Sequence, residues 1–223
     1  MNQQIEIIPA ILKRTFEDIE RDWNIVRDVA SHIQIDITDG IFAGNDTFRE
    51  IPRFKQLVNS NKIEMHMMVH KPSYYVDNLI DLSPARIVFH LEAFAGSGDL
   101  ISVYQKMRAS TQSELALAIN PNSPNERLND FLELLDYVMF LGVDPGYSNQ
   151  PFDQGVYQKI GAFRKKCPQM PIAIDGHVNK ETINPLVKAG ANMLCINTAI
   201  FKGGDPLENI QQLKLLALST LEN

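Results

Sequence analysis

Short apolar runs alternate with stretches of helical spacing from one end of the chain to the other. The runs cover residues 5–9, 32–38, 62–69, 86–90, 114–119, 137–143, 171–175 and 193–196. Between them apolar side chains recur every three or four positions, as at Phe16, Ile19, Trp23, Val26 and Val29, or at Leu128, Phe131, Leu132 and Leu135. That period predicts helices with one buried face. Ser73, Asp99, Asn125 and Asn179 are placed to cap helix starts, and Pro206 opens the last helix. Gly190 closes the helix that precedes the final strand.

Strands that alternate with single helices predict right-handed βαβ units and a parallel sheet. Eight such units within 223 residues fit an α/β fold of the (β/α)₈ TIM-barrel type, one domain over 1–223. A doubly wound open sheet is the competing architecture, but its first strand usually runs into a GxGxxG turn. Here the first strand ends in PAILKRT.

Active sites of such barrels form at the C-terminal ends of the strands, and alternation along each strand decides which side chains reach the interior. In the second run Ile33, Ile35 and Ile37 face the helices, which leaves Gln34 and Asp36 pointing inward. The inward set of the third run is Glu64, His66 and Met68, and that of the seventh is Ala173 and Asp175. Gln34, Asp36, His66, Met68 and Asp175 therefore converge on one mouth.

The second and seventh strands are three steps apart around a ring of eight, so Asp36 and Asp175 face each other across the pocket. Two carboxylates on opposite sides of a small planar intermediate can remove a proton from carbon and return it to the other face. The charge that develops next to a carbonyl then needs an electrophile, and a divalent metal held by the carboxylates and His66 would supply it. The plainer reading is that both aspartates cap turns ahead of Gly40 and Gly176. Against it stands the cost of burying a carboxylate without partners.

Composition narrows the field. Hydrophobic residues at 44% and charged residues at 22% are ordinary for a globular domain. A net charge of -6, with no basic cluster beyond Arg164-Lys165-Lys166 at a helix end, argues against a nucleic-acid partner. Cys167 and Cys195 have no CxxC spacing, so neither a disulfide framework nor a thiolate metal site is expected, and Cys195 in MLCIN reads as a buried hydrophobe. No apolar stretch approaches the roughly 20 residues of a membrane span, and MNQQIEIIPAIL lacks the basic-then-apolar order of a secretory signal. The expectation is a cytoplasmic protein with no membrane partner.

The segments IIPAIL, QIDITDG, EMHMMV, FHLEA, INPNSP, VDPGYSNQPF, IDGHV and NTAIF fall in an order and spacing that resembles the ribulose-phosphate 3-epimerase family over nearly the whole chain. The branch acting on allulose phosphate is also similar, through VDPG and QPF. The resemblance implies a TIM barrel that inverts a phosphorylated ketose through an enediolate, with two aspartates and a divalent metal (zinc, iron, manganese or cobalt), in a homo-oligomer. It implies that Asp36 is base and metal ligand, Asp175 acid and metal ligand, His66 a further ligand, and Met68 a neighbour of the enediolate. Gly146, Gly176 and Thr198 fall where the family grips phosphate, and the loop residues Tyr147, Ser148 and Asn149 border substrate.

Departures from the family pattern gather in the pocket. Ala10 stands where the family has a substrate-contacting serine, and Gln34 replaces a second metal-ligating histidine. An amide oxygen is a harder and weaker ligand than imidazole, so zinc affinity should fall. Thr38 and Leu141 replace methionines, Ser148 and Asn149 replace small residues, His177 replaces the second glycine of DGG, and Asn197-Thr198 replaces the GS pair. These changes fit an epimerase with an altered pocket, or a catalytically silent barrel that binds a sugar phosphate or a partner protein. A related decarboxylase or aldolase would carry D-x-K-x-x-D after the second strand, and Thr38 occupies the lysine position.

Overall fold

The computed structural model describes residues 4–145 and 151–221. Eight parallel strands pair in chain order and close into a barrel: β1 (Glu6–Ile11), β2 (Ile33–Thr38), β3 (Ile63–Met68), β4 (Arg86–His90), β5 (Glu114–Ile119), β6 (Tyr137–Leu141), β7 (Ile172–Asp175) and β8 (Met193–Ile196). Around it run α1 (Phe16–Val26), α2 (Val76–Leu82), α3 (Ser97–Ser110), α4 (Gly155–Lys166), α5 (Ile183–Ala189), α6 (Thr198–Phe201) and α7 (Pro206–Ser219). The fold is the TIM barrel that the alternation predicts. Among the described residues no helix is long and apolar enough to cross a membrane.

Two crossovers depart from the α-helical expectation. Between β2 and β3 the chain makes only short 3₁₀ turns (Ile51–Gln56 and Ser60–Lys62), the first with Pro52 in its opening turn. Between β5 and β6 it forms a 3₁₀ helix, Asn125–Leu134, whose buried residues Leu128 and Phe131 are three apart. That spacing matches three residues per turn as well as it matches an α-helix. The capping expectations divide in the same way. Ser73 and Asp99 lie inside their helical turns, and Asn125 uses its amide on the Lys159 carbonyl instead. Asn179 accepts from the N–H groups of Glu181 and Thr182 in the turn that leads into α5, whose N-cap position is Thr182. The caps of α1 and α7 are Thr15, which accepts from Asp18 N–H, and Asp205, which accepts from Leu207 N–H ahead of Pro206.

Strand alternation sorts the apolar residues into two layers. Ile33, Ile35 and Ile37 belong to the large core between barrel and helices, with Trp23, Phe54 and Phe163. Ile8, Ala10, Val88, Ala116, Ala118 and Met139 fill the barrel interior. At its lower end lies a buried ionic group: Arg86 bonds Glu114 at 2.7 Å and Glu6 at 3.0 Å, and lies 3.5 Å from Glu64. Tyr137 donates to Glu64 at 3.0 Å. Burial pushes the Glu64 carboxyl above the usual range even with Arg86 beside it.

The upper end, where the site lies, depends on a close approach of backbones. Gly142 N–H donates to the Asp175 carbonyl at 2.7 Å. A methyl group on Gly142 would lie 2.4 Å from the Gly176 carbonyl oxygen and 2.5 Å from the Phe152 ring. Gly142→Ala is therefore expected to lower unfolding free energy by about 1–3 kcal/mol through overpacking. Urea denaturation checks this, and an unchanged midpoint would contradict the packing described.

Candidate active site

Register brings the chemistry together. Asp36 pairs with His66 and Thr38 with Met68 between β2 and β3, and Leu141 pairs with Asp175 between β6 and β7. One ligand-capable atom from each of Asp36, His66 and Asp175 lies within 4.8 Å of the other two. His66 Nδ1 is 2.9 Å from Asp36 Oδ1 and 3.2 Å from Asp175 Oδ2. Gln34 Nε2 reaches both carboxylates, at 2.6 Å and 2.9 Å, and lies 3.3 Å from His66 Nδ1. The carboxylates therefore have partners as well as places at strand ends.

Burial and charge set their protonation. Burial, with the Asp175 charge second, pushes the Asp36 carboxyl above its ordinary value against the pull of His66 and Gln34. Burial also acts upward on Asp175, but the His66 hydrogen bond and charge, the Gln34 amide and the Gly176 N–H outweigh it and leave it low. Burial opposes the charged form of His66, yet the two carboxylates raise it to about 10. A shared proton in this pair accordingly resides on the Asp36 side.

The donor set fits a divalent cation. Two carboxylates and one imidazole nitrogen converge, and Gln34 Oε1 is buried without a hydrogen-bond partner. Rotating that amide would offer a neutral oxygen to the same point. As placed, its nitrogen donates to both carboxylates.

Above the carboxylates opens a cavity of about 280 Å³ lined by Asp36, Met68, Asp175, Gly176, His177, Asn197 and Thr198, among others. Gly176, at φ +95°, donates its N–H to Asp175 Oδ1, and a side chain there would meet Val143. His177 also takes the left-handed region, at φ 56°, and is exposed at the rim. Asn197 donates to the Ala10 carbonyl at 2.6 Å. Ala10 itself is fully buried, and the β1 side of the cavity is formed by Leu12. Gly146, Tyr147, Ser148 and Asn149 lie outside the described residues.

Several contributors escape the reading of the sequence. Lys202, just past α6, lines the cavity. Asp39, the second aspartate of D-x-x-D-G, organises the loop after β2, accepting from the N–H groups of Ile41, Phe42 and His70. Thr47 ties the same loop to the Asp36 carbonyl and to Thr38 N–H. His90 Nε2 lies 2.8 Å from His66 Nε2 with the ring planes 18° apart, and Phe42 covers His90 with ring centroids 4.9 Å apart. Alternation along 86–90 would have placed His90 inward, on the same face as Arg86 and Val88.

The sequence profile described as the Ribulose-phosphate 3 epimerase family matches residues 6–201. The chain belongs to that family. It is 30% identical to a ribulose-phosphate 3-epimerase of Eremothecium gossypii, covering 93% of this chain and 91% of that protein. With the Schizosaccharomyces pombe enzyme of the same name the identity is 30% over 95% and 93% of the two chains, and with that of Bacillus subtilis 26% over 94% and 98%. Among solved structures, 3-hexulose-6-phosphate synthase superposes with a TM-score of 0.70 at 13% identity, covering 95% of this chain and 99% of that one. Orotidine 5'-monophosphate decarboxylase from Sulfolobus solfataricus gives 0.69 at 14% identity, over 98% and 100%. These likenesses concern the fold, which hosts many chemistries.

Proposed function

We propose that the chain is a ketose-phosphate 3-epimerase, with ribulose 5-phosphate and xylulose 5-phosphate as its first candidate substrates. The observation that carries this reading is the pair of carboxylates, buried Asp36 and half-buried Asp175, joined through His66 and Gln34 at the mouth of a closed barrel. Family membership and the names of the relatives support it.

In the proposed reaction one carboxylate takes the proton from C3, and the electron pair left behind delocalises onto the C2 carbonyl oxygen as an enediolate. The other carboxylate donates its proton to the opposite face of C3, which restores the ketone with inverted configuration. One carboxylate must start protonated and the other ionised, and their unequal surroundings meet that requirement. The reaction is reversible, so base and acid exchange roles with direction. Asp36, His66, Asp175 and Gln34 would hold a divalent metal, which would supply Lewis-acid stabilisation of the developing negative charge. The amide oxygen of Gln34 shifts the preference away from zinc and toward harder cations such as manganese. Met68, Leu141 and Val143 give the reacting carbons an apolar wall, while Thr198, Lys202 and His177 stand at the end suited to a phosphate.

A silent barrel has no use for two carboxylates held within 4.8 Å of each other at a strand-end mouth, since gathering like charges is costly. Incubation of the protein, loaded with manganese, with ribulose 5-phosphate tests the proposal. Conversion to the C3 epimer, read by NMR, is the expected result. A protein that binds the metal yet converts neither pentulose phosphate would exclude that substrate pair.

A further inference from the structure

A buried polar atom without a partner calls for an explanation. Two such atoms face each other behind the site, His90 Nδ1 and Glu92 Oε2, 3.9 Å apart. His90 ends β4, and Glu92 follows in the 3₁₀ turn Leu91–Ala93. Glu92 is anchored through its other oxygen, which accepts from Asn120 N–H at 3.0 Å and from the Ser123 hydroxyl. That anchor leaves Oε2 turned toward the imidazole. On its far side His90 Nε2 meets His66 Nε2 at 2.8 Å, and His66 Nδ1 faces Asp36 and Asp175.

Two ring nitrogens at hydrogen-bond distance need one proton between them: one donates and the other accepts. We propose that Glu92 and His90 are positioning residues for His66. The Glu92 carboxylate holds the His90 proton on Nδ1, so that His90 Nε2 accepts from His66 Nε2–H, and His66 Nδ1, which faces Asp36 and Asp175, is the nitrogen left to exchange its own proton for a cation. The inference rests on the metal reading given above and deepens it.

The opposite arrangement fails on electrostatics. A proton on His90 Nε2 would set a bare Nδ1 lone pair against the Glu92 carboxylate. It would also make His66 Nε2 the acceptor, which forces the His66 proton onto Nδ1, pointing at the place a cation would occupy. At 3.9 Å the Glu92 contact is longer than a direct hydrogen bond, so its influence acts through its charge on the fully buried His90 ring. Both histidines are fully buried, and the Phe42 ring covers His90. Ligating histidines commonly have their second nitrogen oriented by such an outer partner, and losing that partner weakens metal affinity by about 10–100-fold. Here the outer partner is a second imidazole, and the carboxylate stands one residue further back.

Two measurements test the relay. In metal-free wild-type protein the imidazole nitrogen shifts of His90 should report Nδ1 protonated and Nε2 bare. In competition with a chelator, Glu92→Gln should bind zinc and manganese about 10–100-fold more weakly than wild type, while its thermal melt stays cooperative. The glutamine oxygen can still accept from Asn120 and Ser123, so the turn keeps its anchor. A His90 proton found on Nε2 in the wild-type protein overturns the positioning role whether or not Glu92→Gln folds, as does equal metal affinity in a folded Glu92→Gln. Wild-type protein that binds neither metal overturns the metal reading instead, a result the His90 shifts distinguish.

Discussion

Asp175→Asn and Asp36→Asn are each expected to abolish epimerisation, with kcat falling by about 10²–10⁴-fold or more for the loss of a general acid–base group. The substitution keeps the shape of the side chain and removes its ability to carry a proton. Local hydrogen bonding survives it, because the new asparagine can turn its amide oxygen to Gln34 Nε2, which donates to both aspartates. A loss of activity in either variant therefore reports chemistry rather than unfolding, provided the thermal melt matches wild type. Each variant also removes one anionic ligand, so metal content should be measured alongside turnover. Solvent exchange that persists in both variants would sink the two-aspartate mechanism.

Arg86→Met is expected to cost about 3–5 kcal/mol of stability, the range for removing one partner of a buried ion pair. Glu64 is fully buried at the floor of the barrel, and Arg86 is the cation beside it. Glu6 and Glu114 lose the same guanidinium, but both have access to solvent and Glu6 keeps His32 at 2.6 Å. The pH dependence follows from the sign of the Glu64 shift. Its folded carboxyl is raised above the unfolded value by burial, so the folded state binds the proton more tightly and stability falls as pH rises through that range. Without Arg86 the carboxyl rises further, so the variant's deficit should be larger at pH 8 than at pH 5. Urea unfolding at both values measures it. A deficit within about 0.5 kcal/mol of zero, typical of surface positions, would show that the ionic group does not hold the floor of the barrel.

The barrel was readable because its strands are buried on both sides with different demands. Isoleucine at 33, 35 and 37 marks the helix-facing side of β2, and the polar residues between them could only point into the barrel. The same alternation predicted the meeting of Gln34, Asp36, His66 and Asp175, and the structure brings these four within hydrogen-bonding reach. Contacts that depend on register and side-chain direction were not legible. The pairing of His66 with Val88 is what sets His90 diagonally beside it, and no local pattern encodes that offset. Asp39 organises the loop after β2, because its carboxylate meets three backbone N–H groups that only the folded turn gathers. The 3₁₀ crossover at Asn125–Leu134 was hidden because two buried residues three apart satisfy either helical period. Glu64 was placed inward by alternation, but its cation comes from Arg86 on the next strand, paired with it in register.

In the proposed reaction Asp36 and Asp175 exchange a proton at the carbon beside a ketone. Its most direct test is solvent deuterium incorporation by the metal-loaded wild-type protein into ribulose, allulose and fructose phosphates, followed by NMR. Deuterium is expected at C3 of at least one of these ketose phosphates, appearing in both epimers and absent with Asp36→Asn or Asp175→Asn. No deuterium at C3 of any of the three, from protein with metal bound, would contradict it.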